Sequence, residues 1–214
     1  FLNAVRDSPY GGSEVRPLTL AHLCAIYERT GSIPDKPKAV YQKIVRLLLE
    51  EWDEQRSVLR YSSYPGFTID RKQDLLEALA YGLTSQSVRG SFDLSQLHYT
   101  YSMVHAQFGL PPAEAPEVAR EIESHTGLLI QSDHDSYEFA HKSIQEFLSA
   151  SYIVKLPEIP HRQLLEMPSE AAVAVSLSSR PTDYFCMLVR RLLRKSEVGP
   201  AFTEPFLTRL ILEH

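Results

Sequence analysis

The sequence predicts a mainly α fold: a helical domain, a winged-helix domain with one small β-hairpin, and the start of a helical array. Three observations carry this. Apolar residues recur at three- and four-residue steps through most of the chain. The stretch from Leu128 to Phe139 instead shows a short apolar run and then an alternation of strand type. Proline and glycine clusters at Tyr10–Ser13, Tyr64–Gly66, Pro111–Pro116 and Pro157–Pro160 cut the pattern into blocks. With 214 residues, 43% of them apolar, the chain has material for one to two domains with a real core, which excludes disorder.

The first helical domain is assigned to residues 1–68. Phe1, Leu2, Ala4 and Val5 look like a helix tail, which Tyr10-Gly11-Gly12-Ser13 breaks. Pro17 suits a first helical turn. Leu20, Leu23, Cys24 and Tyr27 follow at helical spacing until Gly31 stops the helix. Beyond Pro34 and Pro37, an apolar stripe runs through Val40, Tyr41, Ile44, Val45, Leu48 and Trp52, with Arg46, Glu50, Glu51 and Glu54 on the wet face. Residues 56–67 read as a loop.

Residues 69–155 form the predicted winged helix. Asp70-Arg-Lys-Gln73 is a variant capping box that opens a helix with Leu75, Leu76, Leu79, Ala80 and Leu83 on one face. Asp93-Leu-Ser-Gln96 repeats the start signal, with Leu97, Tyr101 and Val104 inward. Val118, Ile122 and His125 mark a third helix, ended by Gly127. Leu128–Ile130 pairs back on Tyr137–Phe139 across the turn residues 132–136. Three helices followed by a hairpin is the winged-helix order. A last helix starts near Lys142, with Ile144, Phe147, Leu148 and Ser151 on one face, and Pro157 and Pro160 close it.

Residues 156–211 are helical in pattern throughout, and the spacing of Pro181 and Pro205 points to stacked helices of an array. Leu212-Glu213-His214 resembles the start of a polyhistidine tag, so 212–214 is set aside as a tag remnant. Together with the opening Phe1, this reads as a fragment of a longer protein.

The bulk chemistry narrows the function. A net charge of −5 lacks the basic footprint of a nucleic-acid binder. Glu114, Glu117, Glu121 and Glu123 around the third helix, against Arg120, oppose a phosphate backbone. No apolar run reaches the length of about 18 residues that a membrane helix needs. Cys24 and Cys186 each sit in an apolar helical pattern, which predicts buried, reduced thiols and a cytoplasmic setting. Asp133-His134-Asp135 reads as a solvated turn, so no metal site is expected. No nucleophile elbow or other catalytic spacing occurs, so no catalytic residue is assigned. Arg190, Arg191, Arg194 and Lys195 cluster near a helix end, where the dipole favours cations; an acidic partner is the alternative.

The most informative segment is Phe139-Ala-His-Lys-Ser-Ile-Gln-Glu-Phe-Leu-Ser-Ala150. It joins a strand to a helix and places His141 at the helix start, where free N–H groups and the positive dipole end collect. Such an end suits a phosphate. Yet no Gly-x-x-x-x-Gly-Lys-Ser/Thr loop is present to cradle a triphosphate. A phosphate-sensing element without a phosphate-binding loop reads as part of a larger machine. The alternative is that His141 caps its helix or packs under the wing, while Gln145 and Glu146 bond the wing backbone or face solvent. Phe139, Phe147 and Leu148 are core residues in either reading.

Three segments resemble one family. Arg16-Pro-Leu-Thr-Leu-Ala-His-Leu-Cys-Ala-Ile-Tyr-Glu-Arg-Thr-Gly31 is similar to the helix that follows the nucleotide-binding core of NACHT-family NTPases, members of the STAND class that includes the NOD-like receptors. Tyr41 to Asp53, with its Leu-rich centre and Trp52-Asp53, resembles the next helix. Phe139-x-His141-x-Ser143-x-Gln145-Glu146-Phe147 resembles the end of the family's winged helix. The resemblance implies that Pro17 lies against adenine and that His141 reaches the β-phosphate of ADP, with Phe139, Gln145, Glu146 and Phe147 as motif and core support. It also implies ADP or ATP with Mg in the full-length protein. The partners it implies are an upstream nucleotide-binding domain, a C-terminal sensor domain, and further copies on activation. The Walker A, Walker B and sensor segments are not in this chain. The expected role is therefore regulatory and non-enzymatic, coupling nucleotide state to autoinhibition and oligomerisation in defence signalling. A protein-interaction scaffold without nucleotide coupling is the competing class, and a winged-helix DNA-binding module ranks below it.

Overall fold

A computed structural model describes residues 1–6, 17–51, 62–193 and 198–214. Tyr10–Ser13, Trp52-Asp53, residues 56–61 of the 56–67 loop, and Arg194 with Lys195 lie outside the described residues. Helices α1 (Leu2–Arg6), α2 (Pro17–Thr30) and α3 (Pro37–Glu51) make the first unit. The α3 stripe faces inward as its period requires, with Val40, Ile44, Val45 and Leu48 buried.

The second unit runs α4 (Ile69–Ser85), β1 (Phe92–Asp93), α5 (Leu94–Val104), a 3-10 turn (His105–Phe108), α6 (Ala115–Thr126), β2 (Leu129–Asp133), β3 (Ser136–Phe139) and α7 (Lys142–Lys155). The sheet is antiparallel in the order β1-β3-β2, so it has three strands where a hairpin was expected. The extra strand is only two residues long, too short to show an alternation. It is held because Phe92 lies opposite Tyr137 and stacks on it at 6.3 Å between ring centres, both rings buried. The Asp93 capping box forms as read, with Gln96 N–H donating to Asp93 at 2.9 Å and Gln96 accepting from Asp93 N–H at 3.0 Å. The start of α4 differs. Thr68 is its N-cap, accepting from Arg71 N–H at 3.4 Å, and Asp70 falls inside the first turn. There its charge complements the dipole without capping.

The spine of the molecule is α4 packed along α7. Leu75, Leu76, Leu79 and Leu83 from one helix and Ile144, Phe147 and Leu148 from the other are buried. At the rim Tyr81 stacks on Tyr152 at 5.1 Å, and Lys155 of α7 reaches Asp74 at 2.7 Å and the buried Glu77 at 2.6 Å. At Gly82 the α4 backbone lies close to α5. A Cβ there would stand 2.5 Å from Thr100 Cγ2, and Thr100 is fully buried with no room to yield. Gly82→Ala therefore destabilises the chain by up to about 2 kcal/mol, the overpacking cost of about 1–3 less the roughly 1 of helix propensity gained. Chemical denaturation reads this directly, and a stabilised variant would refute the close approach.

The third unit contains α8 (His161–Leu164), α9 (Pro168–Leu177), α10 (Pro181–Leu193) and α11 (Pro200–Glu213). Helix α9 lies between α7 and α11, and Ala171, Ala172 and Ala174 are fully buried there, small enough for close helix approach. Two expectations need correction. Pro205 sits inside α11, and Pro200 opens that helix. Cys186 is exposed and Cys24 half-buried: Tyr184, Leu188 and Leu192 set the inward face of α10, which turns Cys186 outward. Within residues 212–214, Glu213 belongs to α11 and is buried. Among the described residues no helix is long and apolar enough to cross a membrane.

Candidate functional site

The corner between β3 and α7 is built from its backbone outward. Phe139 is buried at the end of β3, and Ala140 N–H bonds Leu128 carbonyl at 3.0 Å, which fixes the turn. His141 is the N-cap of α7 in extended backbone, and its Nδ1 accepts Ser143 N–H at 3.1 Å. Ile144 and Gln145 N–H groups bond the His141 carbonyl at 2.9 and 3.3 Å. The expectation of free N–H groups waiting for an anion thus fails at Ser143 and Ile144, while the Gln145 bond is the ordinary first helical one. What the corner retains is the ring. With Nδ1 accepting, the neutral imidazole carries its proton on Nε2. The residue is half-buried, not interred, so capping and outward donation are compatible roles of one ring.

His22 of α2 was not singled out from sequence and stands close enough to feel His141. Burial, and then the charge of His141, hold the His22 imidazole below its ordinary pKa. The first unit and the winged helix therefore each bring a histidine toward this corner. The available signal was position: His22 lies five residues after Pro17 on one helix. Pro17 is the first residue of α2; its side chain, and with it the adenine expectation, lies outside the described residues.

The other motif residues point inward. Gln145 Nε2 donates to Thr84 Oγ1 at 3.1 Å and Val88 carbonyl at 2.9 Å, which ties α7 to the end of α4 and not to the wing. Glu146 is buried and faces Lys142 at 3.7 Å and Arg209 of α11 at 3.9 Å. Phe147 is core, and the Phe139 ring lies 6.1 Å from that of Phe92.

A second polar centre covers the inner side of α6. Glu121 accepts Ser62 Oγ at 2.6 Å and Ser63 N–H at 2.9 Å, and pairs with Lys72 Nζ at 3.2 Å. Lys72 also donates to His125 Nδ1 at 2.7 Å and sits 5.6 Å above the Phe67 ring. Tyr64 OH donates to Glu114 at 2.8 Å. Burial alone would raise the Glu121 carboxyl, but Ser62, Ser63 and Lys72 outweigh it and hold the group below its ordinary pKa. Sequence reasoning took Glu121 as one more surface charge. Its spacing of four from His125, beside the core residue Ile122, was the signal that it turns inward. His134 is exposed at the wing tip beside Asp135, at 3.0 Å. Among the described residues no group of three potential ligands could hold a metal ion.

Comparison with known proteins gives one match. The family model for the winged helix-turn-helix domain C-terminal to NACHT covers residues 38–153, from the second residue of α3 to the last turn of α7. No curated protein and no solved structure matches the chain.

Proposed function

Since the chain belongs to the family of winged helix-turn-helix domains C-terminal to NACHT, we propose that it is a non-catalytic regulatory part that relays the ADP or ATP state of a NACHT domain to autoinhibition and oligomerisation in defence signalling. The observation that supports this reading best is His141: a half-buried ring at a strand–helix corner, held by Ser143 N–H so that Nε2 is its donor atom. His141 and Pro17 are the residues of this chain that would meet the nucleotide, which would supply an anionic diphosphate for the ring to bond. Gln145 and Phe147 keep α7 seated, so the ring cannot retreat. A NACHT domain, a sensor domain and other copies are the partners this role requires. The acidic α6, strapped by residues 62–67, supports no DNA readout.

A charge-assisted bond from the ring to a phosphate is worth about 1.5–3 kcal/mol, which shifts a closed-to-open ratio by about 10- to 100-fold. In the full-length protein His141→Ala raises the ligand-free oligomer fraction by that order. His141→Asn keeps a capping acceptor but reaches less far, and it does the same. Sizing chromatography with ADP bound reads both. Wild-type autoinhibition in the two variants excludes the latch.

A further inference from the structure

Helix α3 begins without a cap of its own. Its N-cap position is Lys36, whose side chain has no acceptor, and its first residue is Pro37. Ala39 and Val40 N–H groups return to the Lys36 carbonyl at 3.0 and 3.3 Å. The remaining first-turn donor, Lys38 N–H, is met by Glu213 Oε2 at 2.9 Å, from 175 residues along the chain. Glu213 is only 1% exposed. A carboxylate at a helix N-terminus is favoured by both the dipole and the open donor.

The contact is returned. Lys38 Nζ donates to the Ser176 carbonyl at 2.8 Å, in the last turn of α9, where a cation is favoured. Two helix ends in two units are each completed by a charge that the other unit supplies. Arg209, one turn before Glu213 on α11, lies 3.0 Å from Glu213 Oε1 and 3.9 Å from Glu146 of α7, so it positions the carboxylate.

We propose that Lys38 and Glu213 form a reciprocal clasp that fastens the start of α3 to the helical array, and that opening this clasp lets α10 and α11 swing away from α3 while the rest of the chain stays folded.

The test uses the chain as it stands, with spin labels at Cys186 on α10 and at Glu28→Cys on α2 in a Cys24→Ser background. One narrow distance distribution is expected for the otherwise unchanged chain. Glu213→Ala should lengthen and broaden it, and speed exchange of the Lys38 amide by at least about tenfold, with the helical signal retained. Lys38→Met removes only the bond to Ser176 and should broaden the distribution less. Glu213→Gln, which keeps an uncharged acceptor, should fall between. Should Glu213→Ala fail to fold, these two variants decide. Unchanged distances in both, or an unchanged Lys38 amide rate in Glu213→Gln, overturn the clasp.

Discussion

Glu121→Ala lowers the stability of the chain by about 3–5 kcal/mol, the loss expected when one partner of a buried ion pair is removed and the other stays buried. Lys72 is that partner, 7% exposed. It keeps His125 Nδ1 as an acceptor at 2.7 Å, which puts the loss at the lower end, about 3 kcal/mol. Ser62 Oγ and Ser63 N–H lose their acceptor as well, so the strap leaves α6. Urea unfolding measures the loss. A value under about 1 kcal/mol, typical of surface bridges, would mean water screens the pair. Adding Lys72→Met to Glu121→Ala restores part of the stability, because the stranded cation is gone.

The same group sets an acid limb. Its folded pKa lies below the unfolded one, so its contribution is present above the unfolded value, about 4.3 for Glu, and is lost as pH falls through the lower, folded value. Glu77 and Glu170 act in the opposite sense. Burial raises both, with Lys155 and Gln73 pulling Glu77 partly back and Arg89 doing so for Glu170. Their contribution is present below the unfolded value and lost as pH rises through the raised one. Wild-type stability should therefore fall below about pH 4 more steeply than that of Glu121→Ala.

The helices were legible because each carries its own period and punctuation. The α3 stripe, the Asp93 capping box and Gly127, which ends α6 at a φ of 62°, are signals local to one turn. What the sequence hid depends on groups far apart along the chain. A two-residue β1 has no pattern; it exists because Phe92 meets Tyr137. Glu121 looked like solvent charge because Lys72 and Ser62, which turn it inward, lie 49 and 59 positions away. Glu213 looked like a tag residue for the same reason, since its partner Lys38 is 175 positions away. At the corner, the motif located His141, but spacing could not say that the ring would use its own Nδ1 to fill part of the expected anion site.

Phe147→Ala should cost the isolated chain about 3–5 kcal/mol, as a buried aromatic truncated in a core does, while His141→Ala should cost about 1 kcal/mol, the worth of one N-cap. Phe147 is 3% exposed within the α4–α7 spine, whereas His141 is half-buried and caps its helix by accepting Ser143 N–H. Urea unfolding of both variants tests the difference. Equal losses would mean that the imidazole packs as core, and the proposed donor would have no freedom to meet a neighbouring domain. The contrast carries into the full-length protein. Loss of Phe147 should reduce the folded amount and leave any folded molecules normally autoinhibited. Loss of His141 should leave the amount unchanged and release autoinhibition. If the proposed role holds, the motif separates in this way because the free energy of Phe147 is spent inside the chain, whereas that of the ring is divided between its helix cap and the neighbouring domain.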